Sequence, residues 1–519
     1  MYSVIKHKLK QKNMKRFITS VSLFILISVS ILNSQISNQD LARIDDIVKK
    51  AFDVFKPTGL AVAVMKDSSI IYHIALGFSN AENRKPVNTT SLFNIASCSK
   101  AFTALSIGIL VDEGKLKWTD KVVDYFPEFK LADDYITKEM TIEDLLCHRS
   151  GLGTFYGDLL WYNTSYSDEE VMKRMRNEPI TRRFGIEFGY QNIMFMIAGD
   201  LVEKASGLPW SEFIESRILK PLGMLQTRPS SDDLSKDQDI AFGHLNNKVL
   251  DIYKFKAVKP AAAIYSNVDE LSIWTMLLMN DGVYKGQRII SRASLTRIME
   301  PHTILGASNM QKQHGINFYM YGLGWFIYDY NGKKIVEHDG GMPGYISKVT
   351  MIPDRKISII ILNNGNDGFV DNAIRGDIMD ILIKGREFDW IGENSASKAR
   401  SESYEQNAEK QRLASRVPGT KPSLSPEGYT GIFRDKSYGD AEVSLDSGKL
   451  VLTFLPAKTV FTGELEHWHY DTFKVVFKDK FLTFGLITFS FNSAGKVTGF
   501  KIDLPSNDFH FWNLDFRKI

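Results

Sequence analysis

Strand-forming patterns stand at both ends of the first 390 or so residues of this chain, and helical patterns fill the space between them. Residues 60–65 and 70–76 alternate apolar and β-branched side chains around the turn Lys66-Asp67-Ser68-Ser69. That pattern predicts a hairpin. Strand signals return only near residue 335, at 334–337, 347–352 and 356–362, the last two joined by Pro353-Asp354. A short amphipathic helix is predicted over 41–55 and another over 371–384. A sheet fed from both ends, with helices inserted between, is an α/β unit.

A second pattern follows. Residues 395–423 are rich in Ser, Lys, Glu, Arg and Gln, with Pro418-Gly419-Thr420-Lys421-Pro422 near the end. They read as a linker with some helix in its first half. Short strands then recur at roughly 8–12-residue spacing, at 441–445, 450–455, 473–477, 487–491, 497–502 and 509–514. Asp446-Ser447-Gly448 and Ser493-Ala494-Gly495 are turn signals between them. A small all-β barrel or sandwich is predicted. The expected division is a leader at 1–35, a main domain at 36–390, a linker at 391–426 and a β-domain at 427–519.

The leader carries Lys6, Lys8, Lys10, Lys12, Lys15 and Arg16, no acid, then an apolar and Ser/Thr run over 17–32. This is a secretory signal pattern, and it predicts a periplasmic or secreted protein. The run is short for a membrane span, although an uncleaved anchor is the alternative. Met14 is an alternative start. Removing the leader's six basic residues turns the balance of 64 basic and 61 acidic residues from +3 to −3. Charge gives nucleic-acid binding no support. Hydrophobic residues at 44% suffice for a large core and exclude a wholly disordered chain. Two cysteines, Cys98 and Cys147, exclude a disulfide scaffold and a cysteine-built zinc site, and both are expected to be free.

The residues that carry chemistry begin with Ser97-Cys98-Ser99-Lys100, at the start of an apolar helix running to Asp112. Ser97 and Lys100, at i and i+3, share one helix face. A serine hydroxyl needs a base, and a lysine neutralised by burial can serve. The same pattern at Ser395-Ala396-Ser397-Lys398 lies in the polar linker and is read as meaningless. Tyr190-Gln191-Asn192 follows 93 residues after Ser97, in a loop before a helix over 194–206. A tyrosine near Lys100 can shuttle protons, and Asn192 offers a donor and an acceptor to an amide. His338-Asp339-Gly340-Gly341 follows 148 residues later, at the end of a strand. Glycines there allow a substrate backbone to approach, and the amides of Ser97 and Gly341 can form an oxyanion hole.

These three motifs, in this order and spacing, resemble the serine β-lactamase and penicillin-binding-protein superfamily, whose class A members carry Ser-x-x-Lys. More closely, the chain resembles the class C β-lactamase-like group that includes D-peptidases and esterases. Leu145-Leu146-Cys147-His148-Arg149-Ser150-Gly151-Leu152 and Ile218-Leu219-Lys220-Pro221-Leu222-Gly223-Met224 look like signature segments of that group. The resemblance spans about residues 40 to 385, and the part from Tyr429-Thr430-Gly431 resembles an appended lipocalin-like β-domain. It implies an antiparallel sheet flanked by helices, with an all-α subdomain. It implies Ser97 as acylated nucleophile, Lys100 as base and Tyr190 as proton donor to the leaving group. Asn192 would hold the substrate amide, and His338, Gly340 and Gly341 would line the binding strand. It implies no metal and no organic cofactor.

Penicillin-handling members usually carry Lys-Thr-Gly where this chain has His338-Asp339-Gly340. A titratable imidazole then replaces a fixed cation, and Asp339 adds negative charge nearby. The expected substrate lacks a carboxylate at that point: a peptide with an amino-terminal D-residue, or an ester. The alternatives are an esterase or β-lactamase, and, from another class, a penicillin- or peptide-sensing binding protein. Oligomers are compatible with the sequence. His148 is read as a loop-shaping residue. His467 and His469 would share a strand face without enough further ligands for a metal. The aromatics Phe473, Phe477, Phe489, Phe491, Phe509, Phe511 and Trp512 are read as core of the β-domain. There is no Gly-x-Ser-x-Gly elbow.

Overall fold

The computed structural model describes residues 36–235, 237–385 and 387–519, so the leader expected at 1–35 lies outside the described residues. The hairpin forms as β1 (Gly59–Lys66) and β2 (Ser69–Asn80), with β3 (Lys85–Pro86) on its edge. The distant strands are β4 (Thr303–Ile304), β5 (Tyr319–Tyr321), β6 (Phe326–Tyr330), β7 (Lys333–Met342), β8 (Tyr345–Ile352) and β9 (Ile357–Asn363). They form one antiparallel sheet in the order β4-β5-β6-β7-β8-β9-β1-β2-β3. The two ends of the domain meet where β9 pairs β1, with Val62 opposite Ile361.

The helices that position the site are α1 (Asn38–Phe55), α2 (Ser99–Asp112), α3 (Asn192–Ser206), α4 (Val268–Met279) and α5 (Phe369–Ile383), followed by α6 (Trp390–Ala414). Side chains of a strand alternate between faces. In β1, Leu60, Val62 and Val64 pack with α1 and α5, whereas Ala61, Ala63 and Met65 join the larger core of α2, α3 and α4. Both faces are covered, which explains why β1 and β9 are nearly continuous apolar runs. Ser37 caps α1 in a reciprocal capping box with Asp40.

Two readings of the second half change. Most of the stretch expected as a linker is the 25-residue helix α6. Glu, Lys, Gln, Arg and Ala are strong helix formers, and low hydropathy hid that propensity. Only its first turn is buried, through Trp390, Ile391 and Asn394. Beyond it lies a closed barrel of eight strands. These are β10 (Gly431–Asp435), β11 (Gly439–Asp446), β12 (Lys449–Phe454), β13 (Thr462–His469), β14 (Thr472–Val475), β15 (Gly485–Phe491), β16 (Val497–Asp503) and β17 (Phe516–Lys518). The strand predicted at 509–514 is instead a loop containing one 3-10 turn, and the closing strand is β17. Its alternation imitates a strand because Phe509 and Phe511 are buried while His510 and Trp512 face the other way. Aromatic rings fill the barrel, Phe433 against Phe500 at 5.1 Å and Phe454 against Phe516 at 5.0 Å. Packed interiors of this kind are usual for small barrels.

The barrel docks directly on the main domain. The rings of Tyr162 and Phe509 lie 4.1 Å apart. The Tyr166 hydroxyl donates to the Tyr438 carbonyl at 2.7 Å, and the Ser165 amide to the Pro456 carbonyl at 2.9 Å. Among the described residues no helix is long and apolar enough to cross a membrane.

Candidate active site

Ser97 sits in a single 3-10 turn, Ala96–Cys98, that leads into α2. Ala96 before it has φ 44°, a conformation rare for a residue with a side chain. The turn is held because the Ala96 amide donates to Asn94 Oδ1 at 2.9 Å. From Ser99 to Leu110 every residue of α2 is buried, and Lys100 is fully so.

Lys100 Nζ has three partners: Ser97 Oγ at 3.1 Å, Asn192 Oδ1 at 2.6 Å and the Ala261 carbonyl at 3.1 Å. Burial pulls its pKa down to about 7, against the opposing charge of Asp158. A neutral amine has two N–H bonds and one lone pair. Asn192 Oδ1 and the Ala261 carbonyl can only accept, so they take the two hydrogens. The lone pair is thereby left for the Ser97 hydroxyl.

Asn192 opens α3 and is held in turn by Asp158, whose Oδ2 accepts from Asn192 Nδ2 at 2.6 Å. Asp158 is buried and also accepts from Trp161 Nε1 at 2.9 Å. Burial raises its pKa to about 7. The sequence reading missed this carboxylate. Its one signal was an acid inside the apolar loop Gly157-Asp158-Leu159-Leu160.

The Tyr190 hydroxyl lies against Ser97, and its ring centroid is 4.8 Å from Lys100 Nζ. Burial pushes the phenol above its usual range, so it is neutral. His148 supports the tripeptide from behind. Its ring lies 4.2 Å from that of Tyr190, and its Nδ1 accepts from the Gln191 amide at 3.1 Å.

On β7, His338 is buried, with Nδ1 2.6 Å from the Asp339 carbonyl and Nε2 2.9 Å from the Tyr321 hydroxyl. The carbonyl can only accept, so Nδ1 carries the proton and Nε2 accepts from Tyr321. Burial, reinforced by Lys100, pulls the imidazole down to about 3. The expected titratable group is therefore a fixed neutral one. Asp339 also differs from expectation. Alternation places it on the back of the strand with Glu337, where it pairs with the buried Lys348. Its charge is matched there and does not face Ser97. Gly340 packs against the turn of Ser97, and a Cβ on it would lie 2.2 Å from the Ile95 carbonyl and 3.0 Å from the Ser97 amide. At Gly341, next along, a Cβ would meet only the Ile346 side chain, at 3.9 Å. Strand β6 pairs β7 only as far as Glu337, so the edge from His338 to Met342 has no strand partner on that side among the described residues.

The other sequence candidates lie elsewhere. Lys398 of the second Ser-x-x-Lys pattern is in α6 and pairs with Asp367. His467 and His469 are separated by a bulge, and each bonds locally, to the Tyr470 carbonyl and the Val417 amide. Cys98 and Cys147 are free and buried. No group of three or more metal-ligating side chains gathers among the described residues.

A sheet fed from both ends, a serine and a buried lysine one helical turn apart, and a glycine strand closing on them define a serine hydrolase of the β-lactamase and penicillin-binding-protein superfamily. The Beta-lactamase family model matches residues 48–382, and the chain belongs to that family. A domain of unknown function, DUF3471, matches residues 415–518. Penicillin-binding protein 4* of Bacillus subtilis (strain 168) is 28% identical over 362 residues, 65% of this chain and 75% of that one. An unguisins hydrolase of Aspergillus campestris is 26% identical over 438 residues, 80% and 79% of the two chains. Among solved structures, SurE with D-Leu matches at a TM-score of 0.55 and 16% identity, covering 93% of this chain and 100% of that one.

Proposed function

We propose that this chain is an exported hydrolase that cleaves amide or ester bonds through an acyl-enzyme on Ser97, with D-amino-acid-containing peptides as its preferred substrates. The observation that carries the reading is the lysine's bonding: two obligate acceptors leave its lone pair to Ser97. Lys100 takes the hydroxyl proton as Oγ attacks the carbonyl carbon. The amides of Ser97 and Gly341 bind the oxyanion. Tyr190, a neutral phenol, protonates the departing amine or alcohol and recovers the proton through Lys100. Water then attacks the acyl-serine by the reverse relay. Asn192 chiefly orients Lys100, and one N–H of its amide remains for the substrate. His338 and Gly340 shape the strand.

The substrate class rests on two features. The unpaired edge at residues 338–342 suits an extended peptide adding as a strand. The neutral His338 gives a free carboxylate no counter-charge beside it. The similarity to SurE, whose structure was solved with D-Leu, supports a D-residue in the substrate. Export rests on the basic and apolar leader.

The test is intact-mass analysis after a fluorophosphonate, followed by a turnover panel. One adduct on wild type and none on Ser97→Ala is expected. Absence of an adduct on folded wild-type protein would remove the nucleophile. D-aminoacyl amides or esters should turn over faster than nitrocefin, and the reverse order would make it a β-lactamase. A burst of acylation without turnover would make it a sensor.

A further inference from the structure

Phe155 has φ 61°, and a bulky side chain in the left-handed region is strained. Strain of this kind persists where its surroundings hold it, and it marks functional ground. Here the Phe155 amide donates to the Tyr190 carbonyl at 2.8 Å. The Phe155 ring lies edge-on to the Tyr190 ring, 5.5 Å away. The next residue, Tyr156, packs over Gly153, where a Cβ would lie 2.7 Å from its ring.

The rings then cross to the barrel. Tyr156 meets His510 edge-on at 5.1 Å, and His510 stacks on Trp512 at 4.5 Å. The Trp512 indole is 51% exposed, and Phe155, Tyr156 and His510 are half-buried. Phe155 and His510 line one small cavity whose wall includes Asp158. Aromatic rings thus lead from the proposed proton donor to the open surface of the second domain, with Phe155 and Tyr156 joined through the backbone. Neither domain core accounts for the exposed outer end of this series. Phe509 and Phe511, which alternate with His510 and Trp512, fill the domain contact and the barrel interior.

The ionisable groups beside these rings are acids. Asp158 and Glu178 line the same cavity, and Asp508 precedes the loop. Burial holds His510 below its usual range, so it supplies no cation. Such a surface offers an anionic group no counter-charge and accepts a ring by stacking.

We propose that Phe155, Tyr156, His510 and Trp512 form a substrate subsite, built jointly by the hydrolase domain and the barrel, for a neutral aromatic side chain. This deepens the hydrolase reading and rests on it. The barrel then selects substrates and takes no part in the bond-breaking step.

The test compares three dipeptide amides, D-Ala-D-Ala, D-Phe-D-Ala and D-Ala-D-Phe, and the matching ester series, on the full chain. Wild type should favour at least one ring-bearing member. The double variant His510→Ala/Trp512→Ala should raise KM for that member about tenfold, the equivalent of one lost aromatic contact. Its KM for the all-alanine member should stay within about twofold. Trp512→Leu, which keeps apolar surface at a half-exposed position, should fall between the two and covers the case of a misfolded double variant. An equal loss on all members, no loss on any, or a wild type indifferent to the ring would overturn the subsite. A wild type that neither turns over the series nor labels at Ser97 would overturn the hydrolase reading itself. Labelling and turnover with an unaffected variant would overturn only the subsite.

Discussion

In the proposed relay the protonation of Lys100 governs whether Ser97 can be activated, and burial competes with one buried carboxylate to set it. Burial favours the neutral amine, while the Asp158 carboxylate, reached through Asn192, favours the ammonium. With Lys100 near 7, kcat/KM should rise with pH through about 7 as the amine loses its proton. Asp158→Asn removes the negative charge that retains that proton. The rising limb should therefore move to lower pH in a pH–rate profile on a neutral substrate. A shift to higher pH would mean that the limb belongs to another group. Ser97, Lys100, Tyr190 and Asn192 were legible in sequence because a polar pair on an apolar helix, and a polar triplet before one, break a pattern. Asp158 broke no pattern, since one acid in a loop is ordinary. The type of His338 was legible, but its burial was not, because burial comes from Tyr321 and Phe326 on strands paired only in the folded sheet.

At the scale of elements, period-2 and period-3.6 patterns located the hairpin, the central strands and α1, α2 and α5. What they could not supply was the partner of each surface. Helix α6 shows the limit, since its residues have helical propensity but its apolar anchor is confined to one turn. That turn docks by placing the Trp390 ring over Gly376 of α5, where a Cβ would lie 2.3 Å from the indole. Trp390 Nε1 donates to Asp380 Oδ2 at 2.8 Å. At the far end Arg412 Nη1 donates to the Phe484 carbonyl of the barrel at 2.8 Å. A helix anchored at both ends sets the spacing of the domains as a loose linker would not. Gly376→Ala should overpack the first anchor and cost about 1–3 kcal/mol, read as a lower urea midpoint at unchanged m-value. An unchanged midpoint would show that the indole has room to withdraw. The loop at 509–514 shows the converse limit: alternation alone predicts a strand, but here alternate residues serve two different domains.

At the scale of the whole molecule, the barrel is seated on the loops that carry Phe155, Asp158 and Tyr162, so the state of the contact reaches the proposed site. Glu178 is the buried ionisable group at that contact. It lies against Ser437 of the barrel, and burial raises its pKa from 4.5 to about 7. The sign of its effect follows from proton counting. Between about 4.5 and about 7 the folded chain keeps this proton while the unfolded chain has lost it, so the folded state binds more protons. Stability from this group is therefore fully present below about 4.5 and declines as pH rises to about 7. Asp158, Asp371 and Asp377, also raised to about 7 by burial, push wild type the same way, so its own curve cannot isolate Glu178. Glu178→Gln keeps a neutral side chain of the same length and removes only this titration. Measured side by side, the variant's denaturation midpoint should gain on wild type from pH 4.5 to 7 and hold a constant lead above it. A lead that does not change with pH would mean that Glu178 is ionised at the contact. The barrel would then rest on a charged group, and raising the pH through 7 would leave its seating on the site loops unaltered.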